Sequence, residues 1–270
     1  MRQAAPKRRV IEITGFDEAP LHWLRYRNAA RGGGSENRML EIGRARVRGL
    51  PDMLYAIVVT SDLQGIAPDP RTGEPALMGL AVAVALEELA SGGRLPAMDR
   101  TGVILAGDLY SYPMADKRGG FGDVASVWRA FADRFAWVAG VAGNHDDVTA
   151  VERGGRVHLL DADIVELGGL RVGGVGFAGG NPAKPGRREA EEQLARVALV
   201  AGEGVDLLIL HEGPNGDGDG QDGHDGIRAI LDASPVPFTV CGHRHWGRPL
   251  FRHPAGQVLN VDARVVVLTR

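Results

Sequence analysis

Residues 137–146 read WVAGVAGNHD, a short apolar run that ends in polar side chains. Four further runs share this composition, rich in Val, Ile and Leu: residues 54–60, 103–106, 207–210 and 238–241. The apolar residues are continuous rather than alternating, which is typical of strands that are buried on both faces of a sheet. The sequence therefore predicts an α/β fold around a largely parallel sheet.

Helical patterns lie between several of these runs, at residues 76–90, 124–135 and 188–201. Other strand candidates lie outside the simple alternation: residues 164–167, 170–175, 258–261 and 265–268. These additional strands indicate a second, more antiparallel sheet.

Each of the five apolar runs is followed by side chains that can bind a metal or move a proton. In chain order these side chains are Asp62, Asp108, Asn144 with His145, His211, and His243 with His245. Because ligands collect at the carboxyl ends of parallel strands, we expect these residues to line one cleft. Taken singly, an Asp after a strand usually caps a helix, and a lone His is often a core residue. Five such positions in order favour a shared site.

The chemistry of these side chains indicates which ions they would bind. The set mixes carboxylates, an amide and imidazoles, and this suits manganese, iron or zinc better than calcium, which prefers oxygen ligands alone. The single cysteine, Cys241, stands apart from the set and cannot form an internal disulfide. The absence of cysteine ligands argues against a closed structural zinc site.

The order Asp-x-(His), Gly-Asp, Gly-Asn-His-(Asp/Glu), His, Gly-His-x-His resembles the signature of the calcineurin-like metallophosphoesterases. The resemblance covers residues 54–246. It implies a two-sheet β sandwich flanked by helices, in four αββα layers. It also implies an enzyme that uses two divalent cations to hydrolyse a phosphodiester, a pyrophosphate or a monoester.

Carried over by position, the resemblance implies two ligand sets that share Asp108. One metal would be held by Asp62, Gln64, Asp108 and His245, and the other by Asp108, Asn144, His211 and His243. Manganese is the favoured ion, with iron, zinc or magnesium as alternatives.

Gln64 departs from the family, which usually has histidine at that position. Gln64 could ligate through its amide oxygen, could act through a water, or could mark a protein that has lost catalysis. A branch of the family that acts on nucleotide diphosphate compounds such as ADP-ribose and CDP-alcohols resembles this chain in having Asp-x-Gln there.

The expected nucleophile is a hydroxide held between the two cations. His145, which would face the substrate, is expected to protonate the leaving group, with Asp146 orienting or charging its imidazole. Lys117, Arg118 and Arg244 are candidate phosphate-binding residues, and each could instead be a surface charge.

The charge distribution predicts two regions: a basic N-terminal appendage at residues 1–50 and a metallophosphoesterase domain at residues 51–270. Residues 1–50 contain 11 Lys and Arg against 5 Asp and Glu, in a chain whose formal net charge is −3. The appendage could be a solvated arm or could contact an acidic partner. If it grips DNA or RNA, the protein would be a nuclease, although the mixed charge of the rest disfavours nucleic acid as a partner.

The favoured substrate is a small, nucleotide-like phosphorylated molecule. A non-catalytic, metal-binding interaction scaffold is the third hypothesis. No apolar run reaches the length of a membrane span, the N-terminus lacks the apolar core of a secretory signal, and a cytoplasmic location is therefore expected. Nothing in the sequence indicates the oligomeric state.

Overall fold

The computed structural model describes residues 9–254 and 256–270. Within these residues the chain forms twenty strands, four α-helices and one short 3-10 helix at Met98–Arg100. In chain order the strands and α-helices are β1 (Glu12–Phe16), β2 (His22–Ala29), β3 (Ser35–Arg48), β4 (Ala56–Ser61), β5 (Ile66–Pro68), β6 (Pro75–Leu77), α1 (Met78–Ser91), β7 (Thr101–Leu105), β8 (Gly122–Asp123), α2 (Ala125–Ala132), β9 (Trp137–Gly140), β10 (Asp146–Asp147), β11 (Val157–Leu159), β12 (Asp163–Leu167), β13 (Leu170–Val175), β14 (Ala178–Gly179), β15 (Arg187–Arg188), α3 (Ala190–Gly202), β16 (Leu207–Glu212), α4 (Asp225–Ala233), β17 (Phe238–Gly242), β18 (Leu250–His253), β19 (Gly256–Asn260) and β20 (Arg264–Thr269).

Most of the strands belong to two large sheets. The first has ten strands in the order β11-β9-β7-β4-β20-β3-β2-β5-β6, with β1 paired to β3. The second has six strands in the order β12-β13-β16-β17-β19-β18. Each sheet contains a parallel core, β4-β7-β9-β11 in the first and β13-β16-β17-β19 in the second. The predicted second sheet is confirmed, but it is not the more antiparallel one, because three of its five strand pairings are parallel. The predicted strand at residues 265–268 is β20, which lies in the first sheet.

Three hydrophobic clusters show how the layers stack. Ile57 and Ile209 lie in the cluster between the two sheets. Val58 faces the opposite way, toward a cluster that includes Trp128 of α2. Leu208 likewise packs in a cluster with residues of α3 and α4. Because both faces of each parallel core are covered, its strands are continuously apolar. The predicted α/β fold, a two-sheet sandwich flanked by helices in four layers, is confirmed.

The three predicted helices correspond to α1, α2 and α3, with ends shifted by a few residues. Helix α4 was not predicted. Its apolar face is short, since Ile227 and Leu231 are its buried residues. Its start follows a glycine- and aspartate-rich stretch, and the His224 side chain accepts a hydrogen bond from Gly226 N at 3.0 Å. No helix among the described residues combines the length and apolar character that a membrane span requires.

Residues 9–50 supply three strands of the ten-stranded sheet. Strand β3 pairs in parallel with β20 and antiparallel with β2, and the glycines at positions 32–34 lie in the turn between β2 and β3. The boundary predicted at residue 50 therefore lies between two strands of one sheet. Residues 1–8 of the predicted appendage lie outside the described residues.

Replacing Ile42 by Ala tests whether β3 is an integral part of the fold. Ile42 is fully buried and lies opposite His22 on β2 and Val265 on β20. We expect Ile42→Ala to lower the free energy of unfolding by about 2–5 kcal/mol, because the truncation leaves a cavity in the core. Urea unfolding of chelator-treated protein, followed by tryptophan fluorescence, measures the change.

Met39→Ala, on the same strand, is the matched control. The Met39 side chain is 52% exposed, and its truncation should change the free energy of unfolding by about 0.5 kcal/mol or less. An Ile42→Ala protein with an unaltered main transition would show that residues 9–50 unfold independently of the rest.

Candidate metal centre

The predicted strand-end residues meet between the ends of the two sheets. Gln64 Nε2 donates to Asp108 Oδ2 at 3.0 Å, and His145 N donates to Asp108 Oδ1 at 2.9 Å. His211 Nε2, from the six-stranded sheet, lies 3.4 Å from Asp108 Oδ1. These contacts bring the ends of β4, β7, β9 and β16 to one carboxylate, as the topology of parallel strand ends predicts.

Asp62 makes the corresponding link to the end of β17. Its Oδ2 atom accepts a hydrogen bond from His243 N at 2.9 Å and one from Ser61 Oγ at 2.6 Å. The five strand ends therefore form one connected cluster.

Three of these strand ends have an unusual backbone conformation. The φ angles of Asp62, Asp108 and His243 are 54°, 55° and 70°, in the left-handed region that non-glycine residues rarely adopt. Each such residue costs about 1–3 kcal/mol and persists only where its surroundings hold it. All three are predicted metal ligands, so the backbone strain coincides with the candidate site.

Two glycines allow the strand ends to approach one another. A Cβ on Gly143, just before Asn144, would lie 2.0 Å from Asp108 Oδ1, and one on Gly242, just before His243, would lie 2.3 Å from Asp62 Oδ2. Any side chain at either position would push a carboxylate out of place, which explains why these motifs contain glycine.

Asp108, His211 and His243 form the centre of the cluster. One ligand atom from each lies within 4.8 Å of the others. His211 is fully buried, and its Nδ1 lies 2.9 Å from the carbonyl oxygen of Ala106. A carbonyl oxygen only accepts, so Nδ1 carries a hydrogen, and in the neutral tautomer the lone pair is therefore on Nε2.

That Nε2 atom lies 3.1 Å from Asn144 Oδ1, as well as close to the Asp108 carboxylate. In the neutral tautomer of His211, three side-chain atoms that can donate electron pairs thus face one another. A divalent cation satisfies such an arrangement, and the carbonyl contact behind His211 is the outer-shell partner typical of a metal-binding imidazole. The residues present fit a metal ion.

The electrostatics of the cluster also favour a cation. Burial and then the charge of Asp146 raise the pKa of Asp108 well above its usual value. Burial, followed by the charges of Asp262 and Asp108, does the same for the pKa of Asp62. Burial lowers the pKa of His243 to about 3, so this imidazole is neutral near pH 7 and has a lone pair available. A bound cation would stabilise both the carboxylates and the neutral imidazoles.

Gln64 and His245 are placed differently from the other predicted ligands. Gln64 faces Asp108 with its amide nitrogen, and ligation through Oε1 requires the amide to turn over. His245 is 57% exposed, with Nδ1 3.1 Å from Asp262 Oδ1 and Nε2 3.2 Å from Arg264 Nη2. Because an arginine only donates, the His245 Nε2 lone pair is directed at Arg264 and must leave it to bind a metal.

His145 lies at the edge of the cluster. Its Nδ1 lies 2.6 Å from the carbonyl oxygen of Gly120, and its Nε2 lies 3.8 Å from Asp108 Oδ2. The Gly120 contact places the proton of the neutral ring on Nδ1 and turns Nε2 toward the centre. Burial lowers the pKa of His145, so its protonated form is a stronger acid than an exposed imidazolium.

Asp146 makes no hydrogen bond that orients His145, although its charge does raise the pKa of that imidazole, against the larger effect of burial. Its carboxylate accepts three backbone hydrogen bonds instead, from Leu109 N at 2.7 Å, Tyr110 N at 3.1 Å and Gly143 N at 2.9 Å. The hydrogen-bond partner that orients the imidazole is therefore Gly120. Asp146 ties the loop after β7 to the loop after β9, and so positions Asp108 and Asn144.

Two cavities open beside the centre. The first, of about 590 Å³, is lined by Asp62, Gln64, His245 and Asp262 and by the predicted phosphate-binding residues Lys117 and Arg118. The second, of about 430 Å³, is lined by Tyr112, Asn144, His145, Lys184 and Arg187. The third predicted phosphate-binding residue, Arg244, is exposed and lines neither cavity.

Sequence reasoning missed two residues of the site, Asp262 and Arg187. Asp262 follows β19, and applying the strand-end rule to the predicted strand at residues 258–261 would have found it. Arg187 lies in the two-stranded pair of β14 and β15, where it donates to Gly179 O at 2.9 Å. No motif in the sequence marks Arg187, because its place depends on a long connection folding back toward Asn144.

No protein-family model and no curated protein matches the chain. Several solved structures are similar in part. TT1561 of Thermus thermophilus is 16% identical with a TM-score of 0.49, and the match covers 78% of this chain and 90% of that one. A hypothetical protein from Thermus thermophilus is 18% identical with a TM-score of 0.43, covering 77% of this chain and 75% of that one.

The sulfate thiohydrolase SoxB of Thermus thermophilus, solved in complex with glycerol, is 14% identical with a TM-score of 0.42. The match covers 79% of this chain but 56% of SoxB, so the chain spans about half of that protein's length. Likenesses of this strength do not identify an activity.

Metal binding at this cluster should release protons. Because the pKa values of Asp62 and Asp108 are raised, an ion must displace protons from these carboxyls, and its affinity should fall as the pH is lowered. Titration calorimetry of the metal-free protein with Mn²⁺, at about pH 6 and about pH 8 in buffers of different ionisation enthalpy, measures both effects.

Two variants complete this test. Asp108→Asn should abolish tight Mn²⁺ binding, whereas Asp133→Asn, at an exposed position after α2, should bind like the unmodified protein. An affinity that is equal at both pH values and independent of the buffer would contradict the placement of the ion at these carboxyls.

Proposed function

We propose that this chain is a metal-dependent phosphoester hydrolase and a member of the calcineurin-like metallophosphoesterases. The main observation behind this proposal is that side chains from the other strand ends surround one buried carboxylate, Asp108. His211 Nε2 and Gln64 lie directly against it, and the donor atom of His243 lies within 4.8 Å. A buried carboxylate surrounded by these side chains is far more stable beside a cation than without one.

Two divalent cations would share Asp108. The second ligand set, Asp108, Asn144, His211 and His243, is already close together, with ligand atoms of Asp108, His211 and His243 within 4.8 Å of one another and Asn144 Oδ1 3.1 Å from His211 Nε2. The first set, Asp62, Gln64, Asp108 and His245, requires the Gln64 amide and the His245 ring to reorient. Its mixed oxygen and nitrogen donors, with an amide in place of an imidazole, favour manganese.

When bound, such ions would neutralise the charge on phosphate oxygens. They would also lower the pKa of a water, so that hydroxide is available near neutral pH to attack phosphorus. The chain's own residues must then place the substrate and manage the leaving group. Arg187 and Lys184 line the second cavity beside Asn144 and His145. Their positive charges suit the phosphate oxygens that point away from the metal centre.

His145 is the proposed general acid. His145 Nδ1 donates its hydrogen bond to the Gly120 carbonyl oxygen. The proton that His145 delivers to the leaving group is therefore the one on Nε2, the atom that faces the centre. Passing this proton to the departing oxygen prevents an unstable alkoxide from forming. Gly120 fixes the plane of the ring, so no carboxylate partner is required for orientation.

A substrate screen tests the proposed activity. Protein supplied with Mn²⁺ should hydrolyse at least one of five compound types: a nitrophenyl monoester, a bis-nitrophenyl diester, a cyclic nucleotide, a nucleotide-sugar pyrophosphate and single-stranded DNA. Asp108→Asn should be inactive on all of them. Preference for DNA with a strong salt dependence would instead favour the nuclease alternative. One bound ion per chain or none, without turnover on any compound, would favour the non-catalytic scaffold.

Replacing His145 by Ala separates proton transfer from metal binding. On a substrate with a poor leaving group we expect turnover to fall by about 100- to 10,000-fold, and on a nitrophenyl ester by much less. Metal content should be unchanged. Steady-state rates on the paired substrates, together with elemental analysis, measure the effect.

The histidine control is His22→Ala, at an exposed position on β2, which should leave both rates unaltered. Full activity of His145→Ala on the poor leaving group would remove His145 from the mechanism.

A further inference from the structure

The hairpin of β2 and β3 forms one wall of the first cavity. Tyr26 lies directly opposite Arg38, and Asn28 directly opposite Glu36. Because alternate residues of a strand share a face, these four side chains lie on the same face of the hairpin. Tyr26, Asn28 and Arg38 line the same cavity as Asp62 and Asp262. The predicted appendage thus contributes to the candidate site.

The hairpin is held firmly against the first ligand motif. A Cβ on Gly65, which follows Gln64, would lie 2.3 Å from the ring of Tyr26, so ring and backbone are in close contact. Ile66 then begins β5, which pairs with Arg27 of β2. The position of Arg38 relative to Asp62 and Gln64 is therefore set by sheet pairing and by packing.

The pKa of the buried Tyr26 phenol responds to charges both on the hairpin and near the metal centre. Burial raises the pKa of Tyr26, the positive charge of Arg38 opposes this shift, and the negative charge of Asp262 adds to it. Arg38 and Asp262, which both line the cavity, thus act on one phenol with opposite sign.

Three cations surround this cavity. Arg38 Nε and Nη2 both contact a single oxygen of Glu36, Oε1, at 2.8 and 2.5 Å, in a pair whose side chains are both more than a third exposed. Such a pair is weak and leaves other guanidinium N–H groups free for a ligand. The exposed side chains of Lys117 and Arg118 make no ion pair or hydrogen bond with any described residue.

We infer that the first cavity is a subsite for a second phosphate group of the substrate, remote from the phosphate that is hydrolysed, and that Arg38, Lys117 and Arg118 bind it. This inference rests on the proposed function. The cavity of about 590 Å³ is within the range of sites that hold nucleotide-sized ligands. Arginine suits this role because its planar donors match two phosphate oxygens at once. The carboxylates of Asp62 and Asp262 would keep an anion away from the floor unless metal ions are bound there.

A pair of chromogenic substrates tests the subsite directly. Thymidine 5′-(4-nitrophenyl phosphate) and its 3′-phosphorylated form release the same nitrophenolate and differ only in the second phosphate. The Mn²⁺-loaded protein should have a lower KM for the 3′-phosphorylated form. Arg38→Gln, and separately Lys117→Gln with Arg118→Gln, should raise that KM about three- to tenfold with little change in kcat. The KM for the unphosphorylated form should stay constant.

The matched control is Arg25→Gln. Arg25 is exposed on the neighbouring strand of the same hairpin, on the opposite face from Tyr26, and does not line the first cavity. It should leave both KM values unaltered, which separates a local contact from a general loss of positive charge.

Equilibrium binding provides a readout that does not depend on turnover. Calorimetry of the Mn²⁺-loaded protein should show tighter binding of thymidine 3′,5′-bisphosphate than of thymidine 5′-monophosphate, and Arg38→Gln should remove the difference. If neither nitrophenyl ester is hydrolysed but the binding difference and its loss are observed, the subsite stands, and the screen of five compound types decides the proposed activity separately. If thymidine 3′,5′-bisphosphate and thymidine 5′-monophosphate bind equally, the subsite is wrong. If both esters are hydrolysed with equal KM, or if Arg38→Gln shifts both KM values equally, the subsite is wrong and the hydrolase stands.

Discussion

The site depends on a buried carboxylate that has too few positive neighbours. Asp108 is almost fully buried, and the carboxylates of Asp146 and Asp262 raise its pKa further. The lone pairs of His211 and Asn144 point toward the same region. Burying a charge is costly unless it is paired, so this arrangement of donors is stable only with a cation among them or with protons on its carboxyls. Metal binding is the physical role that such a cluster can perform.

The two-sheet fold explains how residues so distant along the chain reach one place. Parallel cores in both sheets bring their carboxyl ends to the same side, and Gly242 lets the end of β17 approach Asp62 across the sandwich. The left-handed backbone at Asp62, Asp108 and His243 then turns three side chains into the space between the sheets. The surrounding sheets, buried on both faces, hold these strained residues in place.

Much of this arrangement could be predicted from the sequence because its signals are local. Continuous apolar strands followed by Asp, Asn and His indicate both the fold and the strand ends, and those residues do lie together. The partners of His145 and Asp146 could not be predicted, because they depend on how two loops cross. The carbonyl of Gly120, rather than a carboxylate, holds the imidazole, and Asp146 instead accepts backbone N–H groups from both loops.

The N-terminal strands were harder to predict for the same reason. The composition of residues 1–50 is basic, and nothing local in it shows that β3 pairs with β20, more than 200 residues later. The number of charged residues bears on solubility and on binding partners, but it does not indicate which strands pair in a sheet. As a result, the sequence did not connect Arg38 with the cleft, although the sheet places it on the cavity wall.

Anomalous diffraction from crystals grown with Mn²⁺ tests the central claim most directly. We expect two peaks about 3.5–4 Å apart, with the carboxylate of Asp108 between them. One peak should lie against His211 and His243, and the other on the Asp62 side. Crystals that show no anomalous peak within coordination distance of Asp108, with Mn²⁺ in excess, would contradict the account.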